Sequence, residues 1–205
     1  MHRFLLLAML VLFPNVALAH TMSTSGFTSG LWHPVLGLDH LLAMVSVGIV
    51  STQLGGRAIW TVPASFVLIM ALGGYAGMQS FDFLPIESIV VLIEQGITLS
   101  VILLGLAIAL DKKISIAIAM LVCGFFGFFH GFAHGTEIPD VALSATYIAG
   151  FMVGTALLHI VGVGLGEIAR RVPNGSTVLR YVGAVVMGMG LHIEYQMLST
   201  SGWGL

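Results

Sequence analysis

Residues 114–135 read ISIAIAMLVCGFFGFFHGFAHG, and this stretch decides the fold. It carries no Lys, Arg, Asp or Glu, and it exceeds the roughly 20 residues a helix needs to cross a bilayer core. Gly127, Gly131 and Gly135 recur at every fourth position, the small-residue spacing through which membrane helices approach closely. His130 and His134 repeat that spacing on the neighbouring face, and Glu137 follows on the same side, because successive residues turn by about 100°. An ionisable group in hydrocarbon costs about 2.5–3.5 kcal/mol or more unless it faces the bundle or a wet cavity. Two imidazoles in an otherwise apolar span therefore mark a function.

Working outward, the rest of the chain has the same character. Of its 205 residues, 58% are hydrophobic, 8% are charged and 26 are glycine, whereas soluble domains carry about 25% charged residues. Five further apolar runs, about 34–53, 58–79, 87–110, 141–169 and 178–198, join 114–135 to make six expected spans. Short turns around Gly55-Gly56-Arg57, residues 81–85, Asp111-Lys112-Lys113, 136–140 and 170–177 separate them. No linker divides the chain, so residues 20–205 are expected to form one transmembrane domain.

Residues 1–19 combine a basic Arg3, a short apolar run and a terminal Ala17-Leu18-Ala19, which predicts a cleaved secretory signal peptide. Cleavage would leave His20 at an N-terminus outside the cytoplasm, where its amine and imidazole together offer a chelate. Beyond the leader, the basic residues are Arg57, Lys112, Lys113, Arg170, Arg171 and Arg180. All fall in or beside the loops that this orientation makes cytoplasmic, as the positive-inside rule requires. The opposite loops carry Asp82, Glu137 and Asp140 without Lys or Arg. The expected fold is an all-α membrane protein: a six-transmembrane-helix bundle with both mature termini outside, in a bacterial cytoplasmic membrane. The lipid bilayer is then one partner, a homo-oligomer is compatible with the sequence, and nothing basic or aromatic is arranged for nucleic acid.

The candidate site residues are His33, Asp39 and His40 on the first span, with His130, His134 and Glu137 on and beyond the fourth. His33 and His40 are seven apart and are expected on one face of a continuous helix, with Met44 one turn on. A further group occurs singly, and structural roles compete for each: His20, Met44, Glu94, His159, His192 and Glu194. Counted along the spans, most of these groups fall in the outer half, and His159 is the one deeper imidazole, with Glu167 beyond it.

Imidazole with carboxylate suits nickel, cobalt, zinc or copper(II), whereas magnesium and calcium prefer oxygen cages. The single cysteine, Cys123, excludes a thiolate cage and an intrachain disulfide, and its apolar setting points to packing. Such a set permits transit of a divalent ion, with no cofactor permanently bound. It also permits a membrane-embedded zinc hydrolase or a metal-sensing subunit without flux.

Two stretches narrow this choice. His33-Pro34-Val35-Leu36-Gly37-Leu38-Asp39-His40, continuing to Met44, resembles the first-helix signature of the HupE/UreJ family. Phe129-His130-Gly131-Phe132-Ala133-His134-Gly135-Thr136-Glu137 resembles its fourth-helix signature. Gly26-Phe27, Gly30-Leu31 and Leu54-Gly55-Gly56-Arg57 are similar too, so the likeness covers essentially the whole mature chain. The resemblance implies a secondary permease rather than an enzyme, carrying Ni2+ or, in some relatives, Co2+ for hydrogenase or urease maturation. Cu2+ and Zn2+ remain chemically admissible cargo. It also implies that His33, Asp39, His40, His130, His134 and Glu137 handle the metal. The chain lacks a Gly-rich phosphate loop ending in Lys-Ser/Thr, so ATP hydrolysis by this chain is not expected.

Overall fold

A computed structural model describes residues 26–79, 86–136 and 141–200. These residues form seven α-helices: α1 Gly26–Leu36, α2 Leu38–Leu54, α3 Ala58–Gly77, α4 Ile86–Leu110, α5 Ile116–Thr136, α6 Val141–Arg171 and α7 Gly175–Thr200. There is no strand among the described residues. Five helices, α3 to α7, are long and apolar enough to cross a membrane. The leader, His20, Asp82, Glu137 and Asp140 lie outside the described residues.

The first expected span is corrected. It is not one helix over 34–53 but two, α1 and α2, meeting at an 81° bend. The cause is local. Pro34 sits in the last turn of α1, where its ring and missing N–H weaken continuation. Gly37, at φ −82° and ψ 115°, then adopts extended backbone as the N-cap of α2. Its carbonyl still accepts the Leu41 N–H at 2.9 Å, so the new helix starts without a gap. His33 and His40 consequently lie on different helices rather than on one face of a single helix.

Glycines set the remaining packing. α3 and α5 run side by side, with Gly127, Gly131 and Gly135 of α5 seated against the backbone carbonyls of Phe66, Met70 and Gly74. Gly73 and Gly77 of α3 reciprocate against Phe128 and Phe132. A methyl group at any of these positions would collide with backbone, so this seam requires glycine. α6 carries Gly150 and Gly154 against α1, and Gly162 against Val45 of α2. Gly105 of α4 and Gly183 of α7 join the last pair.

Inside, Met44, Val47, Val62, Phe66, Met70, Val101, Ile108 and Cys123 form one apolar core. Outside, Trp60, Leu68, Leu72, Leu121, Phe125 and Ile168 are exposed, where a water-soluble bundle would place polar side chains. The bundle is apolar on both its inner and outer surfaces, which is the pattern of a multi-pass membrane protein. Met44 belongs to the packed core, and Cys123 is a buried free thiol.

The basic residues gather at one end, where α2, α4 and α6 finish. Lys113 donates to the Gln53 carbonyl and, at 3.3 Å, to that of Leu54. Arg170 reaches the Thr52 carbonyl at 3.5 Å, and Arg180 Nε donates to that of Ala109 at 2.9 Å. These carbonyls have no partner further along their own helices, and cations also suit the negative end of the helix dipole. Gly55 and Gly56, at φ +77° and +57°, make the turn from α2 to α3 at this same end.

Candidate metal pathway

At the opposite end, the break at Gly37 brings His33, at the close of α1, to the start of α2. Asp39 stands in the first turn of α2, where the positive end of the helix dipole favours a carboxylate. Its Oδ1 accepts two bonds at 2.8 Å, one from the His40 backbone N–H and one from His40 Nδ1. A carboxylate oxygen can only accept, so His40 carries its proton on Nδ1 and turns the lone pair of Nε2 into the bundle. A side chain at position 37 would crowd this pair, its Cβ lying 3.1 Å from His40 Nδ1 and 3.2 Å from Asp39 Oδ1. Glycine at the bend thus leaves the Asp39–His40 pair room that a larger side chain would take.

From α5, His134 Nε2 lies 2.7 Å from His40 Nε2. With His40 Nε2 as acceptor, His134 is the donor, and one proton joins the two imidazoles. His130 is fixed independently: Nδ1 donates to the Phe126 carbonyl at 2.9 Å, one turn back on its own helix. Its Nε2 is buried without a hydrogen-bond partner, so a bare lone pair remains. A second-shell acceptor on one ring nitrogen and a lone pair on the other is how ligating histidines are prepared.

The rings form a connected series. His33 meets His134 with centroids 4.4 Å apart, His134 meets His40 at 4.5 Å, and His40 meets His130 at 4.9 Å. His33 and His40 stand 6.3 Å apart. Only the first is open to the surface: His33 is partly exposed, whereas His134 is 5%, His40 7% and His130 0% exposed. Tyr147 and Phe151 of α6 wall the outer part, Phe151 lying 4.1 Å from the His134 ring and Tyr147 5.9 Å from His33. A crevice between α3, α5 and α6, lined by Met70, Gly74, Gly131, His134, Tyr147 and Phe151, reaches this part of the cluster.

The packing explains how α5 can hold two imidazoles in place. The seam of Gly127, Gly131 and Gly135 locks α5 onto α3 backbone to backbone, leaving the adjacent face, with His130 and His134, against α2 and α6. No three His, Cys, Asp or Glu side chains among the described residues are already disposed around a common metal position. The short His40–His134 contact accounts for part of this. Two imidazoles on a tetrahedral ion, each bonded at about 2.0–2.1 Å, have nitrogens about 3.3 Å apart. The observed 2.7 Å is a hydrogen bond, and a metal would replace its proton while the rings part by about 0.6 Å.

The structure therefore gathers His33, Asp39, His40, His130 and His134, and gives Asp39 the role of orienting His40. His159 of α6 is 2% exposed, and its ring and that of His130 both touch the Phe66 ring. Glu94 is half-buried on α4, which packs on α2, α5 and α7 but not on α1 or α6. His192 is exposed and Glu194 half-buried on α7, which packs on neither α1 nor α5. The structure does not gather these last two into the cluster. Tyr147, Phe151 and Phe66 have no distinguishing sequence signal, since aromatics in apolar helices are ordinary packing. The Phe126 carbonyl was accessible to sequence reasoning, because the carbonyl four residues back is within reach of a helical side chain.

The chain matches the family described as HupE / UreJ protein over residues 7–193. It is 41% identical over 175 residues to Protein HupE of Rhizobium leguminosarum bv. viciae, covering 81% of this chain and 88% of that protein. No solved structure matches. The family is of transporter type and not a family of enzymes. Both stretches that carry the cluster, from Gly26 to His40 and from Phe126 to His134, fall within the matched residues, and the chain belongs to the HupE/UreJ family.

Proposed function

We propose that this protein is a permease of the bacterial cytoplasmic membrane that takes up a divalent transition metal, foremost Ni2+, for metalloenzyme maturation. The observation that carries the reading is the convergence of four imidazoles and one carboxylate from α1, α2 and α5, in a transporter-type family. In this reading α1 and α2 together count as one broken span, which makes six. The signal peptide is removed and both termini lie outside. The basic end of the bundle faces the cytoplasm, in keeping with the positive-inside rule.

The ion then arrives at His33 and His134, which are nearest the outer surface, with the Glu137 carboxylate raising the local cation concentration. His40 and His130 take it deeper. The Asp39 carboxylate holds the His40 proton on Nδ1 so that the Nε2 lone pair faces inward, and the Phe126 carbonyl does the same for His130. Insertion between His40 and His134 displaces the proton between them, which His134 then carries on Nδ1 as a neutral ligand. Ligands that are neutral imidazoles, without thiolate, suit a site that must also release its cargo. Co2+ is the nearest alternative cargo, since it shares these ligand preferences.

Nickel accumulation in cells or vesicles tests the proposal. His40→Ala and His130→Ala variants, expressed at wild-type level, are each expected to abolish accumulation above background. Normal accumulation by both would refute the assignment.

A further inference from the structure

Between the histidine cluster and the basic end of the bundle lies one more imidazole, and one aromatic ring separates the two. Phe66 of α3 is fully buried. Its ring centroid lies 5.2 Å from that of His130 and again 5.2 Å from that of His159. His130 and His159 make no ring contact with each other. The carbonyl of His159 abuts Gly48, two turns beyond His40 along α2, which is about 12 Å at about 1.5 Å per residue.

His159 has no structural employment. Both of its ring nitrogens are buried without a hydrogen-bond partner. A neutral imidazole must carry its proton on one of them, so a buried donor and a buried acceptor are both unmatched, each costing about 1–3 kcal/mol. Leucine or phenylalanine would fill this space without that cost.

We infer that His159 is a second metal station, and that the Phe66 ring is the partition an ion passes between the outer cluster and this station. The inference rests on the transport reading for its direction, but the station can be tested without it. The Phe66 ring stands edge-on to His159, at an interplanar angle of 86°. Rotation of one side chain therefore opens the way without moving a helix, and the ring face attracts a passing cation. The backbone of Phe66 is pinned against Gly127, which leaves the ring as the movable part.

The test counts nickel bound by the purified full-length protein and measures nickel flux in proteoliposomes. His159→Gln is expected to bind one ion fewer at saturation, with outer-cluster affinity unchanged and flux reduced by about tenfold or more. Phe66→Ala is expected to bind the full complement and to carry nickel faster, with weaker discrimination against manganese. Phe66→Leu, which keeps most of the buried volume, should show the same trend if the alanine variant does not fold. A His159→Gln protein that binds and transports like wild type overturns the station. Phe66 variants with unchanged flux and selectivity overturn the partition. If wild-type protein carries no nickel, the transport reading fails, and the bound-ion count decides alone: one ion fewer in His159→Gln supports the station, an unchanged count refutes it.

Discussion

Replacing Asp39 by asparagine separates orientation of a ligand from ligation itself. Asp39 Oδ1 accepts from both the backbone N–H and Nδ1 of His40 at 2.8 Å, within the range of charge-assisted hydrogen bonds. An asparagine oxygen can occupy the same place and accept the same two protons, so the start of α2 and the bend at Gly37 should survive. What is lost is the charge, and with it about half the strength of each bond. The His40 lone pair becomes less basic and its tautomer less firmly held. Loss of an outer-shell partner of this kind typically weakens metal binding by about 10–100-fold, or about 1.4–2.8 kcal/mol. Nickel titration of the purified variant, monitored calorimetrically beside a check of helical content, measures this directly. Unchanged affinity would refute the orienting role. A loss far beyond that range would show instead that the carboxylate is itself a ligand.

Histidine binds metal only when neutral, so nickel uptake should decline once pH falls far enough to protonate the cluster; uptake rising toward pH 5 would contradict imidazole ligation. Because the ion displaces the proton between His40 and His134 onto His134 Nδ1, nickel binding near neutral pH should release no net proton; a calorimetric heat that depends on buffer ionisation enthalpy would show instead that the pair starts as an imidazolium. Gly131→Ala drives a methyl group into the Met70 carbonyl and should cost about 1–3 kcal/mol, seen as a lowered unfolding midpoint with reduced uptake. Gly188→Ala, where nothing lies within 4 Å of the added carbon, should be neutral or slightly stabilising in the same assay.

The sequence made the bundle legible because lipid imposes one requirement, an apolar run of fixed length, and five helices, α3 to α7, meet it without interruption. The grouping of Arg57, Lys112, Lys113, Arg170, Arg171 and Arg180 was equally readable, and the caps that Lys113, Arg170 and Arg180 place on the ends of α2 and α4 give it a structural meaning beyond topology. The first span was misread because hydropathy does not register a bend. Residues 34–53 are apolar whether or not the helix is continuous, and the information lay in Pro34 and Gly37 instead. Gly37 is the hinge itself, in extended backbone between the two helices.

The site was partly legible for a related reason. Intrahelical spacing placed His130 and His134 together correctly, because α5 is a regular helix. The same rule applied to His33 and His40 reached the right neighbourhood by the wrong geometry, since the 81° bend, not a shared helix face, brings them near each other. Contacts between distant elements had no such rule. Phe66 separating His130 from His159, and Phe151 against His134, depend on how α3 and α6 pack, and a phenylalanine in an apolar helix carries no mark of it.

The most direct test of the central claim is nickel flux into proteoliposomes that contain only the purified protein. The account predicts saturable nickel accumulation that competing cobalt reduces and that disappears in a His40→Ala/His134→Ala protein. Nickel that binds the protein tightly but never reaches the vesicle lumen would contradict it.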